Sequence, residues 1–179
     1  MRKIKQVEQF HKVFGEPVKE QPDITETALF KKRVRFMFEE LLELTRALPE
    51  SDKLDILKEA MTEVHGEMSR TDRANEGQVA ALDALCDLEY FLKGTILAFG
   101  FQHVFDRAFN EVHESNMSKA CATFQDIDDT STYYDAENVE TFSEVHSAQD
   151  PFYAVVRRAS DGKILKSVNA VKPNLQQFL

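Results

Sequence analysis

The order of apolar and polar positions divides the chain near residue 120. Before that point the pattern is helical. Residues 3 to 14 carry Ile4, Val7, Phe10, His11 and Phe14 at three- and four-residue spacings and predict a short helix. "GEPVKEQPD" then breaks the pattern with one glycine and two prolines. A second helix is expected from Ile24 or Thr25 to about Leu48, with Asp23 as its cap. Its Phe30, Val34, Met37, Leu41, Leu44 and Leu48 alternate steps of four and three, the spacing of a core stripe. A third, more polar helix is expected over about 52–71, and a fourth over about 78–99. The fourth, "QVAALDALCDLEYFLKGTILAFG", is the most apolar segment and suits the middle of a bundle. Gly100 ends it. A fifth helix, about 102–119, places Val104, Phe105, Ala108, Phe109 and Val112 on one face.

Beyond residue 120 the periodicity fades. Residues 123–150 are acidic and read as a connecting segment, in which "DAENVETFSEVH" could form one helical stretch. After Pro151, "FYAVVRRAS" and "KILKSVNAV" flank Asp161-Gly162, the dipeptide favoured in a two-residue type I′ hairpin turn. The expected fold is all-α: a bundle of about five helices with a small C-terminal β-hairpin. Its organisation is a helical domain over 1–122, the acidic connection over 123–150, and hairpin plus tail over 151–179.

Composition narrows the function. Thirty-one acidic against 22 basic residues give a formal charge of −9. That balance excludes a protein that wraps a nucleic-acid polymer, but not one that holds a free nucleotide through metal ions. Cys86 and Cys121 form no CxxC pair, and neither reads as a zinc ligand; the pattern is that of free thiols in a reducing cytoplasm. No apolar run is long enough for a membrane span or a signal peptide's central region, so the expectation is a cytoplasmic protein with no membrane partner.

The chemistry lies in the carboxylates. Glu40 and Glu43 share an arc of the second helix with Arg33 and Phe36, and Glu39 stands at its edge. Alone, such a cluster reads as a solvated flank. On the fourth helix, however, Asp83 and Asp87 point well away from the Glu89–Lys93 pair and share a face with Ala80, Tyr90, Gly94 and Leu97. A buried, unpaired carboxylate costs several kcal/mol, so this placement calls for an ion pair with Arg33 or a lysine, or for a cation. Two helices that offer only hard oxygen ligands suit Mg²⁺, with Mn²⁺ as an alternative, and an ion that keeps positions open for phosphate oxygens.

"FEELLEL", "LDALCDLEYFLKGTILAFG", "VFDRAFNEVHESNMSK" and "SDGKILKS", in that order, resemble the MazG-like all-α nucleoside triphosphate pyrophosphohydrolases, a group that includes the phosphoribosyl-ATP pyrophosphohydrolases and dimeric dUTPases. The resemblance covers about residues 25–120 and the C-terminal segment. It implies Mg²⁺-dependent hydrolysis of a nucleoside triphosphate between the α and β phosphates, to a nucleoside monophosphate and pyrophosphate, by a homodimer or homotetramer. By position, Glu40 and Glu43 correspond to the family's E-x-x-E metal ligands, and Glu39 to the extra glutamate that some members use in catalysis. Asp87 corresponds to the closing aspartate of a later E-x-x-D. The first acid of that motif is replaced here by Ala84, with Asp83 one residue earlier as its substitute. "HESNMSK" matches the stretch from which members present an asparagine and a lysine to the nucleotide, which implies Asn116 and Lys119. Arg33, Lys163 and Lys166 complete the substrate-binding candidates as phosphate or charge-balancing groups.

Two other readings compete. A carboxylate-bridged di-iron bundle needs two E-x-x-H motifs, and the chain has one, Glu8 to His11. A non-enzymatic helical oligomerisation or nucleotide-binding module would leave the separate face of Asp83 and Asp87 unexplained. The five histidines stand beside no nucleophile elbow.

Overall fold

The computed structural model describes residues 3–47, 53–68, 77–149 and 151–179. Among them, α1 (Lys3–Phe14), α2 (Thr27–Arg46), α3 (Lys53–Met68), α4 (Gln78–Ala98), α5 (Phe105–Met117) and α6 (Phe124–Ala136) precede an antiparallel pair, β1 (Thr141–Ser147) and β2 (Tyr153–Arg158), and a closing 3-10 turn, Leu175–Phe178. The fold is mostly helical with a small β-hairpin, as expected. The predicted helix ends at Leu48, Asp52 and Thr71 lie outside the described residues. No described helix is long and apolar enough to cross a membrane.

The chain forms two compact units: residues up to Val18 together with Lys93–Leu179, and Lys19–Leu92. In the first, β2 organises the core. Ala154, Val155 and Val156 are fully buried, and their alternation serves two clusters. Val155 packs with Val13, Phe14 and Ala120, while Ala154 and Val156 pack with Cys121, Ile127 and Leu165. Cys121 and Ala154 exchange backbone hydrogen bonds at 2.8 and 3.0 Å. On the other side β1 pairs in the register Glu144↔Val155, with an irregularity between Val145 and Ser147.

Arg157 ties this strand to the first helix. Its Nε donates to Glu144 Oε2 at 2.5 Å, Nη1 to the Gly162 carbonyl at 3.1 Å, and Nη2 to the Phe14 carbonyl at 2.7 Å. The last bond satisfies a helix-terminal carbonyl that has no partner within α1. Gly15 follows at φ +66°, where a Cβ would stand 3.0 Å from His146 Cε1; glycine suits both the turn and the close approach.

Two expectations for the C-terminal third change. The hairpin partner of β2 is β1, upstream, and not "KILKSVNAV". Asp161-Gly162 does turn the chain, but the return is limited to an isolated bridge between Arg157 and Ile164. The physical reason lies in side-chain acceptors. Thr130 Oγ1 takes the Val168 amide at 3.2 Å and Ser118 Oγ takes the Val171 amide at 2.9 Å, so these donors leave the ladder. The acidic segment 123–150 is likewise built, not merely connecting, for it contains α6 and β1. Its helix begins at a capping box: Thr123 accepts from the Asp126 amide at 3.0 Å and Asp126 accepts from the Thr123 amide at 3.1 Å. The expected helical stretch "DAENVETFSEVH" instead spans the end of α6 and most of β1.

In the second unit α2 and α3 pack on each other. Asp23 does not cap α2; it accepts from the Thr25 amide and hydroxyl, and the N-cap is Glu26 without a side-chain bond. The expected core stripe is a larger correction. α2 and α4 have no buried residue, Phe30 is 50% exposed, and Tyr90 and Phe91 are 77% and 71% exposed. The described part of α4 thus buries no side chain, contrary to the expectation of a place in the middle of a bundle.

Phe14→Ala removes a fully buried ring and is expected to lower the unfolding free energy by about 3 to 5 kcal/mol in a urea titration; a loss under about 1 kcal/mol contradicts the assigned core. The Arg157 guanidinium holds the Glu144 carboxyl below its ordinary pKa, with His146 adding to the effect. A depressed carboxylate stabilises the fold above its unfolded pKa, and that contribution disappears as pH falls through the folded value. Arg157→Met is expected to return the Glu144 midpoint, followed by NMR, toward the ordinary glutamate value.

Candidate functional site

The carboxylates of the second unit stand on exposed helix faces. Glu40 and Glu43 are one turn apart on α2, Asp83 and Asp87 one turn apart on α4. Among the described residues none of these four has a hydrogen-bond or ion-pair partner. The ion pair with Arg33 that could have explained the aspartates is absent: Arg33 lies over the Phe36 ring of its own helix, 5.8 Å from the centroid. Glu39 is engaged by Arg35, whose Nε donates to it at 3.0 Å. At an exposed i, i+4 position such a pair contributes about 0.3 to 0.5 kcal/mol, so the carboxylate is readily released.

The donor chemistry suits a hard divalent cation, since every candidate is an unpaired carboxylate oxygen. Among the described residues, however, no three His, Cys, Asp or Glu side chains are gathered where they could hold a metal ion.

The first unit holds a cleft of about 600 Å³ between the end of α5, α6 and the chain after Leu165. Asn116, Lys119, Tyr133, Lys166, Ser167 and Lys172 are among its lining residues. Its walls are fixed by cross-links. Ser115 Oγ donates to the Val171 carbonyl at 2.8 Å, the Ser167 amide donates to the Lys119 carbonyl at 3.1 Å, and Asn169 Nδ2 donates to Asp126 at 3.0 Å. Three lysines and no described carboxylate line it, in a chain whose acids outnumber its bases. Lys119 Nζ donates to Asn116 Oδ1 at 2.6 Å, which leaves the amide NH2 as a donor for a ligand. Burial, and then the nearby Lys166 ammonium, hold the pKa of Lys119 below the ordinary lysine value. Among the described lining residues no carboxylate offsets the three lysines, and the field of such a pocket favours an anion.

Of the residues the sequence singles out, the structure thus brings Asn116, Lys119 and Lys166 together. Lys163 stays outside the cleft, exposed beside the Asp161-Gly162 turn. Tyr133, Tyr134 and Lys172 also line it and were not anticipated. The Thr123-x-x-Asp126 capping signature could have revealed α6 and with it the helical placement of the two tyrosines.

The fold is shared with a solved structure of a candidate NTP pyrophosphohydrolase from Exiguobacterium sp. 255-15, at a TM-score of 0.71 over 98% of this chain and 91% of that one. At 19% identity this likeness concerns the fold. No curated protein matches the chain. The sequence profile of the phosphoribosyl-ATP pyrophosphohydrolase family matches residues 7–116, and the chain belongs to that family. The expected MazG-like membership is therefore borne out. The matched region holds Glu39, Glu40, Glu43, Asp83, Asp87 and Asn116, whereas Lys119, Lys166 and all of α6 lie beyond it.

Removing the Lys166 charge should raise the Lys119 pKa. In Lys166→Ala, acylation of Lys119 followed by mass spectrometry across pH is expected to shift its midpoint upward; an unmoved profile means that the two ammonium groups do not interact. A lysine whose pKa is depressed in the folded state disfavours folding most fully below that folded value, and the penalty fades as pH rises from the folded to the unfolded pKa.

Proposed function

We propose that the protein is a Mg²⁺-dependent nucleoside triphosphate pyrophosphohydrolase that cleaves an NTP or dNTP between the α and β phosphates, giving a nucleoside monophosphate and pyrophosphate. The observation that carries this reading is the cleft lined by three lysines and, among the described residues, by no carboxylate, in a net-acidic chain of a pyrophosphohydrolase family. Asn116, Lys119 and Lys166 bind the anionic substrate, with Arg33 and Lys163 as further phosphate-binding candidates. Glu40, Glu43, Asp83 and Asp87 would hold the cation, Mg²⁺ or alternatively Mn²⁺. When bound, that ion supplies charge neutralisation at phosphoryl oxygens and a more acidic water.

Glu39, once released from Arg35, positions a water molecule and accepts its proton. The water oxygen forms a bond to phosphorus as the bond to the bridging oxygen breaks, and pyrophosphate leaves with that electron pair. The uncovered apolar positions of α2 and α4 support a homodimer or homotetramer, in which a second copy covers these faces.

Pure protein with Mg²⁺ and each common NTP or dNTP is expected to release pyrophosphate with at least one of them. Orthophosphate alone, or no turnover with any, removes the proposal. Glu43→Gln and Asp87→Asn should each lower the rate by about a hundredfold or more while circular dichroism stays unchanged. Light scattering should give at least twice the chain mass, and Leu85→Glu on α4 should reduce it; a monomeric parent contradicts the oligomer.

A further inference from the structure

The cleft contains one large group that anion binding does not use. Tyr133 is 54% exposed, lines the cleft with Lys119 and Lys166, and has no hydrogen-bond partner among the described residues. Its neighbour is placed differently. Tyr134 packs against the buried cluster of Cys121, Ile127 and Val156, and its hydroxyl donates to the Lys166 carbonyl at 3.3 Å. The two rings meet edge to face, with centroids 5.1 Å apart and planes at 88°. Tyr134 is thus anchored by the core and steadies Tyr133, whose apolar ring remains open to water. An exposed aromatic ring beside ammonium groups that meet no carboxylate among the described residues offers both contacts that a nucleotide needs: a face for the base and charge for the phosphates. The volume of about 600 Å³ accommodates a ligand of that size.

We infer that Tyr133 is the base-stacking and specificity residue of the nucleotide site, so that α6, outside the family-matched region, selects the substrate. The inference rests on the nucleotide-binding part of the function proposed above and extends it to the base. Asn116 assists, because its free amide NH2 can donate to an acceptor on the ligand while Lys119 and Lys166 hold the phosphates. A tyrosine stacks on every base but not equally strongly, so Tyr133 ranks the bases by stacking strength within the width of the cleft between α6 and the segment after Leu165.

The test separates base from phosphate. Binding of α,β-methylene analogues of ATP, GTP, CTP and UTP, and of inorganic tripolyphosphate, is measured by calorimetry on the intact protein, with no turnover required. Tyr133→Ala is expected to weaken at least one nucleotide analogue roughly tenfold to a hundredfold, to leave tripolyphosphate unchanged, and to alter the ranking of the four bases; Tyr133→Phe should restore the parent values. The chain has no tryptophan, so Tyr133→Trp adds a single reporter that nucleotides should quench and tripolyphosphate should not. Equal weakening of both ligand types, no weakening of any nucleotide, or a parent that binds none of the four analogues overturns the inference. Pyrophosphate release is scored apart: a parent with the predicted binding contrast but no turnover keeps Tyr133 as the base platform and removes the hydrolase reading.

Discussion

Burial of β2 on both faces is the constraint from which the first unit follows. A strand with Ala154, Val155 and Val156 all inside needs apolar cover on two sides and hydrogen-bond partners at two edges. β1 and Cys121 supply the edges. Phe14 of α1 covers one face, and Ile127 of α6 with Leu165 covers the other. The lysine-lined cleft is a by-product of the same arrangement, because Ser118 and Thr130, which draw the last segment away from the sheet, also lay Lys166 and Lys172 against α5 and α6.

The helical unit obeys a different constraint. α2 and α4 carry the apolar residues of a core without burying any of them within the chain. Each square ångström of such surface covered by a partner contributes roughly 25 cal/mol, and side chains as large as Phe91 leave much to be gained. A protein with this distribution of burial has its own core in one unit and a shared core, in the proposed oligomer, in the other.

How far the sequence could be read followed the same division. Helices α1, α2 and α4 were legible to within a few residues, because three-four spacing and the glycines after α1 and α4 are local signals. Burial was not legible, since an apolar stripe reports that a face seeks cover and not where the cover comes from. The β-hairpin was recognisable in kind but assigned to the wrong partner, because Asp161-Gly162 is a strong turn signal and the competing acceptors, Thr130 and Ser118, are distant in sequence. Among site residues, the acidic pairs stood out by spacing. Lys119 and Lys166 emerged only through family resemblance, and Tyr133 not at all, since its role depends on a helix hidden in an acidic tract.

The bond from Arg157 to the Phe14 carbonyl joins residues 143 positions apart. During synthesis at about 5 to 20 residues per second, α1 leaves the ribosome roughly 7 to 30 seconds before its partner strand exists. For that interval Phe10, Val13 and Phe14 have no cover from β2, and the intervening helices emerge first. The cluster of Val13, Phe14, Ala120 and Val155 is therefore completed only once β2 has been synthesised, and it cannot close stepwise behind the growing chain.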